Sequence, residues 1–496
     1  MQVSSALPAL AILFALITTV LVWLDGADTG RRNVITVTGS ILTAATVIAM
    51  VPGALQSKVY SSFILRLLPG ASLAFKADPL AMIFAIVASV MWVIVNIYSI
   101  GYMEHEHEKH RFFTFFSMAI FAALGIAFSA NLITLFIFYE LLTVSTYPLV
   151  THEGNAEAKK AGVKYLIYTM GAGGMLLAAI LITYGLTGTL EFSKVPIFAG
   201  TTAAPMILRT VFMLFLVGFG VKAALMPLHN WLPSAMVAPT PVSTLLHAVA
   251  VVKAGAFGII RLIYFVYGPR EMRSLHLDIV VIAIASFTIV VASIIAVKQD
   301  NLKRRLAYST IGQLSYIVLG AALLSPAALI AAAVHIANHA VTKGTLFMCA
   351  GVIAEETGVK EISKMKGIAK RLPVTMAIFS LAALGMIGIP PLAGFVSKWL
   401  LVSTAGSVNQ PVLVMIFMLS SILNAVYFLP IIYTAYFGKQ SEEFSPSKKR
   451  MESANTMIYA ITTTAALTVF LGVFASSPGL PLSLARMAAK LLGGVF

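Results

Sequence analysis

The sequence predicts an all-α membrane protein of about 14 transmembrane helices, and three observations predict it. The chain is 59% hydrophobic and 11% charged over 496 residues, whereas soluble domains carry about 25% charged residues. Apolar runs of the ~20 residues needed to cross the hydrocarbon core recur along its whole length. The Lys and Arg residues gather in the short connections between those runs, as they do in membrane chains. That distribution also argues against nucleic acid as a partner, because the net charge of +15 forms no continuous basic face. Cys349 stands alone, so the chain has no disulfide framework and no cysteine set for a metal or iron–sulfur cluster. Any redox centre beside it belongs to another chain.

Taken in order, the expected spans are 6–23, 34–52, 79–101, 112–129, 131–150, 161–185, 206–228, 241–267, 278–297, 304–323, 327–353, 374–402, 411–437 and 457–475. The first is read as a retained span, because Met1 to Leu7 carry no positive charge of the kind that opens a cleaved signal. Only Ser129, Ala130 and Asn131 mark the turn between the fourth and fifth. Residues 479–496, with Arg486 and Lys490 among Leu, Met and Ala, read as an amphipathic helix lying on the membrane surface. Connections on the side of the 24–33 loop hold nineteen basic residues, among them Lys439, Lys448, Lys449 and Arg450, against nine on the other side. Both ends of the chain are therefore expected on the non-cytoplasmic side of a prokaryotic inner membrane.

Two stretches should interrupt their helices, Met226-Pro227-Leu228-His229 in the seventh span and Gly388-Ile389-Pro390-Pro391-Leu392-Ala393-Gly394 in the twelfth. Broken helices at membrane depth persist only where protein or water satisfies the freed backbone. Their five-span separation points to two five-helix repeats, spans 4–8 and 9–13. An odd repeat length inverts the second against the first, a transporter signature. The expected organisation is an N-terminal three-helix segment (1–110), a first repeat (111–267), a second repeat (278–437) and a C-terminal helix with its tail (438–496).

Charge inside the spans costs ~2.5–3.5 kcal/mol per group at the bilayer centre, so each such group needs a reason. Glu140 is too short to reach the headgroups, and Lys253 is central in its span, so both read as functional. Lys222, five residues before Pro227, is expected to pair with Glu140. Lys343 precedes an apolar stretch to Val352 and has no surface to reach. Lys398 follows the second break and reads as functional over snorkelling. Lys164 is open to either reading, whereas Arg261, near a span end, reads as a snorkelling side chain.

His335, His339 and Lys343 recur every fourth residue, which stacks them on one helical face with ~6 Å of rise per step. Such a file can hand a proton along. The alternatives are hydrogen-bonded core histidines, or a metal site of an intramembrane enzyme, although no third ligand and no H-E-x-x-H pattern accompany them. His247 shares a face with Thr244 and lies near Lys253. No metal and no cofactor are expected. The Glu104-His105-Glu106-His107-Glu108-Lys109-His110 stretch reads as a solvated loop. Lysine suits proton exchange here because desolvation loosens its proton and a nearby carboxylate tightens it.

At these residues the sequence resembles the antiporter-like subunits of respiratory complex I, Mrp-type sodium/proton antiporters and membrane-bound hydrogenases. The likeness runs from about 75 to 437 and rests on several motifs. They are Phe138-Tyr139-Glu140-Leu141-Leu142 with Tyr147-Pro148-Leu149, Gly220-Val221-Lys222 through Pro233, Ala238-Pro239-Thr240-Pro241-Val242-Ser243 through His247 and Lys253, Asp300-Asn301-Leu302-Lys303-Arg304 through Thr310, His339-Ala340 with Lys343, and Gly388 through Lys398. The resemblance implies a fourteen-helix fold working beside other membrane subunits. It implies a Glu–Lys pair at Glu140 and Lys222, a central relay at Lys253, His335, His339 and Lys343, and an exit-side Lys398. Lysine at 398, and the lack of the long extension of the largest complex I member, are most similar to the D-type member of the Mrp set. The activity implied is proton movement coupled to a monovalent cation such as Na+. A proton pump in a redox-driven complex, of the hydrogenase or quinone-reducing kind, is the alternative.

Overall fold

The computed structural model describes residues 2–69, 71–438 and 455–494. Lys439, Lys448, Lys449 and Arg450 lie outside the described residues. The chain opens with a short strand β1 (Gln2–Ser4), then α1 (Leu7–Asp25), α2 (Thr29–Ala49) and the single turn α3 (Val51–Leu55). Strands β2 (Val59–Leu68) and β3 (Ala71–Ala77) follow, and then α4 (Pro79–Tyr102). The first repeat holds α5 (Lys109–Ala127), α6 (Leu132–Val150), α7 (Ala156–Thr187), α8 (Pro205–Lys222), a stub α9 (Trp231–Ser234), and α10 (Thr240–Thr244), α11 (Val251–Arg261) and α12 (Gly268–Ser274) in one long helical run. The second holds α13 (Leu277–Lys298), α14 (Leu302–Ala321), α15 (Pro326–Thr357), α16 (Pro373–Ile387), α17 (Ala393–Ser407) and α18 (Pro411–Phe437). The chain ends with α19 (Asn455–Val473) and α20 (Pro481–Leu491).

Among the described residues, 11 helical segments are long and apolar enough to cross a membrane. The broken pair α16/α17 and the more polar α14 and α15 complete the fourteen expected spans. Residues 240–269 of the α10–α12 run are all buried, so their polar members meet protein rather than lipid.

The two repeats are legible residue by residue. Helices α7 and α15 each run 32 residues and end on a left-handed glycine, Gly188 (φ 67°) and Gly358 (φ 70°). Asn131 caps α6 and bridges to Glu191, while Asn301 caps α14 and bridges to Glu361. Each pair (188 and 358, 131 and 301, 191 and 361) is about 170 positions apart, and five spans intervene, so equivalent ends face opposite sides.

Four details depart from the sequence reading. The seventh span does not run to 228, because α8 stops at Lys222 and the non-helical stretch reaches back to Ala223. A small sheet is present: β2 pairs with β1 in parallel and with β3 antiparallel, using the β-branched and aromatic residues of 59–77. The eighth span is widened by π-helical turns at Leu245–Val249 and Leu262–Tyr267. The C-terminal helix α20 is amphipathic, but its Leu482, Leu484, Ala485, Ala488 and Ala489 pack on α15 and α4, leaving Arg486 and Lys490 outward. It docks on the bundle because those apolar side chains find a protein surface there.

Candidate functional site

The helix breaks create the polar environment that the buried charges use. At the first break, α8 ends at Lys222, whose amine donates to the Tyr139 carbonyl and lies 3.5 Å from the centre of the Tyr139 ring. Trp231 Nε1 donates to Val221 O at 2.7 Å and closes the same helix end. Glu140 sits half-buried on α6 with its carboxylate against Gly173 of α7, and its Oε1 has no hydrogen-bond partner. The expected Glu140–Lys222 contact is therefore not made: the amine engages the residue before Glu140, because the carbonyl and ring of Tyr139 stand nearest to the helix end. The two charges are neighbours, not an ion pair.

The middle of the molecule holds a contact file. Lys253 is fully buried, and its amine meets His339 Nδ1. The His339 and His335 rings stack at 5.9 Å. His335 Nδ1 lies 2.8 Å from Ser397 Oγ, and its Nε2 lies 3.1 Å from Gln313 Oε1. Lys343 donates to Ser309 Oγ at 2.7 Å. His247 packs its ring on Phe347 at 4.5 Å, and both its ring nitrogens are buried without a hydrogen-bond partner. It adjoins the file without joining it directly.

At the second break, Lys398 satisfies the carbonyls that α16 leaves open. Its amine donates to Met386 O at 2.7 Å and Ile387 O at 3.1 Å, and lies 3.3 Å from Ser421 Oγ. Lys164 is partly exposed on α7 and donates to Ser234 Oγ at 3.0 Å, outside this chain of contacts.

Arg261 corrects the sequence reading. It does not snorkel: it is 1% exposed and pairs with Asp78 Oδ2 at 2.7 Å, ringed by Phe192, Phe257 and Phe265. Asp78 also caps α4 by accepting from Ala81 N at 2.8 Å. Its place next to Pro79, at a span boundary, hides this role in the sequence. Gln313, Ser309, Ser397 and Tyr427 are equally silent there, being neutral residues within apolar runs. The signal available is Asn424 and Ser420-Ser421 inside an otherwise apolar thirteenth span.

A polar cavity of about 730 Å³ opens beside Tyr102, Thr240, Lys303 and Glu355, at the end of α15 remote from α20. The stretch around Glu104–His110 folds back near it, with His107 and His152 stacked at 4.8 Å. Among the described residues no three His, Cys, Asp or Glu side chains come together as a metal site.

Against known proteins, the description "NADH:quinone oxidoreductase/Mrp antiporter, TM" matches residues 129–424, and that of the complex I chain 5 N-terminus matches 70–113. The chain belongs to the NADH:quinone oxidoreductase/Mrp antiporter family. This family member is 33% identical over 409 residues to the NADH-quinone oxidoreductase subunit N of Desulforudis audaxviator, covering 80% of this chain and 81% of that one. It is 32% identical over 435 residues to the putative antiporter subunit mnhA2 of Staphylococcus haemolyticus, covering 82% of this chain. It spans only 54% of that antiporter relative. A chain of the solved Mrp complex from a Dietzia species shares its fold, with a TM-score of 0.87 at 20% identity over 98% of this chain and 97% of that one. These relatives carry names of subunits or belong to a membrane complex, and the family likeness makes this chain an antiporter-like, multi-pass membrane protein.

Proposed function

We propose that this subunit translocates protons for a monovalent-cation/proton antiporter complex, through Glu140, Lys222, Lys253, His339, His335, Lys343 and Lys398, with His247 beside the file. The observation that carries the reading is the buried Lys253–His339 contact with the His335 ring stacked next to it. An amine and two imidazoles can each hold or release a proton without leaving their places. Glu140 acts on this file through its nearness to Lys222. If the amine swings from the Tyr139 carbonyl toward the carboxylate, its proton is held more tightly; if it swings back, the proton is freed. The polar cavity at Thr240 and Glu355 is the cytoplasmic approach, with both chain ends on the opposite side. Lys164 stands at the outer edge of the same side and contributes least.

The test is proton uptake into vesicles carrying the purified complex, with and without added Na+. Lys253→Ala should abolish uptake while all subunits still copurify; full uptake by that variant removes the file from the mechanism. A second reading has its own support. The chain is 33% identical to the quinone-oxidoreductase relative over 81% of that relative's length. Copurification with iron–sulfur subunits, and uptake driven by a reductant instead of Na+, would establish that redox-driven reading in place of the first.

A further inference from the structure

We infer that Tyr427 and Asn424 are positioning residues that tie Lys343 to Lys398 through the open end of α16, so that the two amines do not change protonation independently. This rests on the relay proposed above. The connection is continuous in hydrogen bonds. Lys343 donates to Ser309 Oγ at 2.7 Å, and the Tyr427 hydroxyl lies 2.9 Å from the same oxygen. That hydroxyl also meets Asn424 Oδ1, and Asn424 Nδ2 donates to Met386 O at 3.2 Å. Lys398 donates to that carbonyl at 2.7 Å. No member is more than 6% exposed, so bulk water does not stand in for a missing link.

Donor counting decides what this connection can do. Tyrosine has one hydroxyl proton. Spent on Asn424 Oδ1, it leaves the Tyr427 oxygen to accept from Ser309, whose own oxygen accepts from Lys343. All donors then point away from Lys343, an arrangement that favours its charged form. The amide of Asn424 accepts and donates but does not pass a proton on, so the connection orients and does not conduct. At the far end, Asn424 and Lys398 share one carbonyl, left without a helical partner because α16 stops at Gly388 (φ 101°). A change in how Lys398 holds Met386 O therefore reaches Asn424, then Tyr427, then Lys343.

Other titratable groups around Lys343 are Lys253 and His247 from the 240–261 segment, His339 and His335 on its own helix, Lys398 on α17, Tyr316 on α14, Tyr427 on α18 and Tyr98 on α4. Among the described residues α16, α19 and α20 present none to it, and no carboxylate faces it.

The experiment measures proton uptake against pH in vesicles containing the intact complex. Tyr427→Phe keeps the ring and removes the hydroxyl. The alkaline limb of the profile should move about half to one pH unit toward acid, the size of one lost hydrogen bond between neutral groups. Asn424→Ala should move it in the same direction. A profile that keeps its shape, whether at full rate or uniformly reduced, overturns the tie. If Tyr427→Phe fails to assemble, Ser309→Ala reads the same link from its other side. Lys343→Met run in parallel separates the two ideas. Full uptake there sinks the relay itself, whereas loss of uptake with unmoved Tyr427→Phe and Asn424→Ala profiles sinks the tie alone.

Discussion

Glu140 occupies its place because residue 173 has no side chain. A Cβ on Gly173 would lie 2.5 Å from Oε1 and 2.7 Å from the carboxyl carbon, closer than real contacts allow. Gly173→Ala therefore pushes the carboxylate aside while the methyl itself suits a helix. A displacement near 1 Å costs on the order of 100-fold at a tuned site. Uptake should fall about 10- to 100-fold with normal assembly, as read in the vesicle assay; an unchanged rate would mean that the position of Glu140 does not matter. In the second repeat the place of Gly173 is taken, about 170 residues on, by Lys343, so one pseudo-equivalent spot makes room for an acid and the other supplies an amine. Residues of this kind divide by cost in how far the sequence exposes them. Glu140, Lys222, Lys253 and Lys343 stand out because charge in hydrocarbon is expensive. Ser309, Gln313 and Tyr427 are cheap to bury once hydrogen-bonded and leave little trace. The true partner of Lys222 is not legible, because spacing says nothing about which way a long side chain swings.

Elements are legible where backbone chemistry forces them. The prolines and glycines of 226–233 and 388–394 announce the breaks, but not that α8 ends at Lys222 or that π turns flank α11. Contacts between distant elements leave no local signal, and Asp78–Arg261 is the clearest. This pair joins the start of α4 to the end of α11 without solvent, at 1–3% side-chain exposure. Breaking a buried pair from one side strands the other charge and costs about 3–5 kcal/mol. Arg261→Ala should lower the thermal midpoint of the purified complex markedly, and Arg261→Ala with Asp78→Ala should be milder than the first substitution alone. An Arg261→Ala protein with the native midpoint would return Arg261 to a peripheral role. The loop pairing of His107 with His152 gives a pH prediction. Burial, with His107 and Arg111 nearby, pushes His152 down to about 4 from the ordinary 6.5. The folded state thus holds it neutral, and the unfolded state binds the extra proton between those values. The stabilisation is complete above about 6.5 and is lost as pH falls toward about 4. Protection of the 151–155 amides, taken relative to the intrinsic exchange rate at each pH, should fall over that window, and His152→Gln should flatten the dependence. A protection factor that stays constant across those values would contradict the burial of a neutral imidazole.

At the scale of the whole molecule, an inverted repeat gives the fold little preference for which side faces the cytoplasm. Equivalent ends such as Asn131 and Asn301 look alike and point opposite ways, so orientation must come from what the symmetry does not share. The unshared feature is the basic excess in the connections near 24–33, 298–305 and 359–371, which the positive-inside rule assigns to the cytoplasm. The polar cavity at Tyr102, Thr240 and Glu355 opens on that side, and the β1–β3 sheet and α20 lie on the other. Cysteine labelling can decide this, because the natural Cys349 is buried and gives a silent background. Gly30 and Gly494 are both exposed, and a side chain at Gly494 meets no neighbour. Gly30→Cys should react with an impermeant maleimide only in inverted vesicles, and Gly494→Cys only in right-side-out ones. The reverse pattern would place the cavity outside the cell. The file from Lys253 to Lys398 would then have to run from the outside inward, so the labelling fixes the direction of approach as well as the topology.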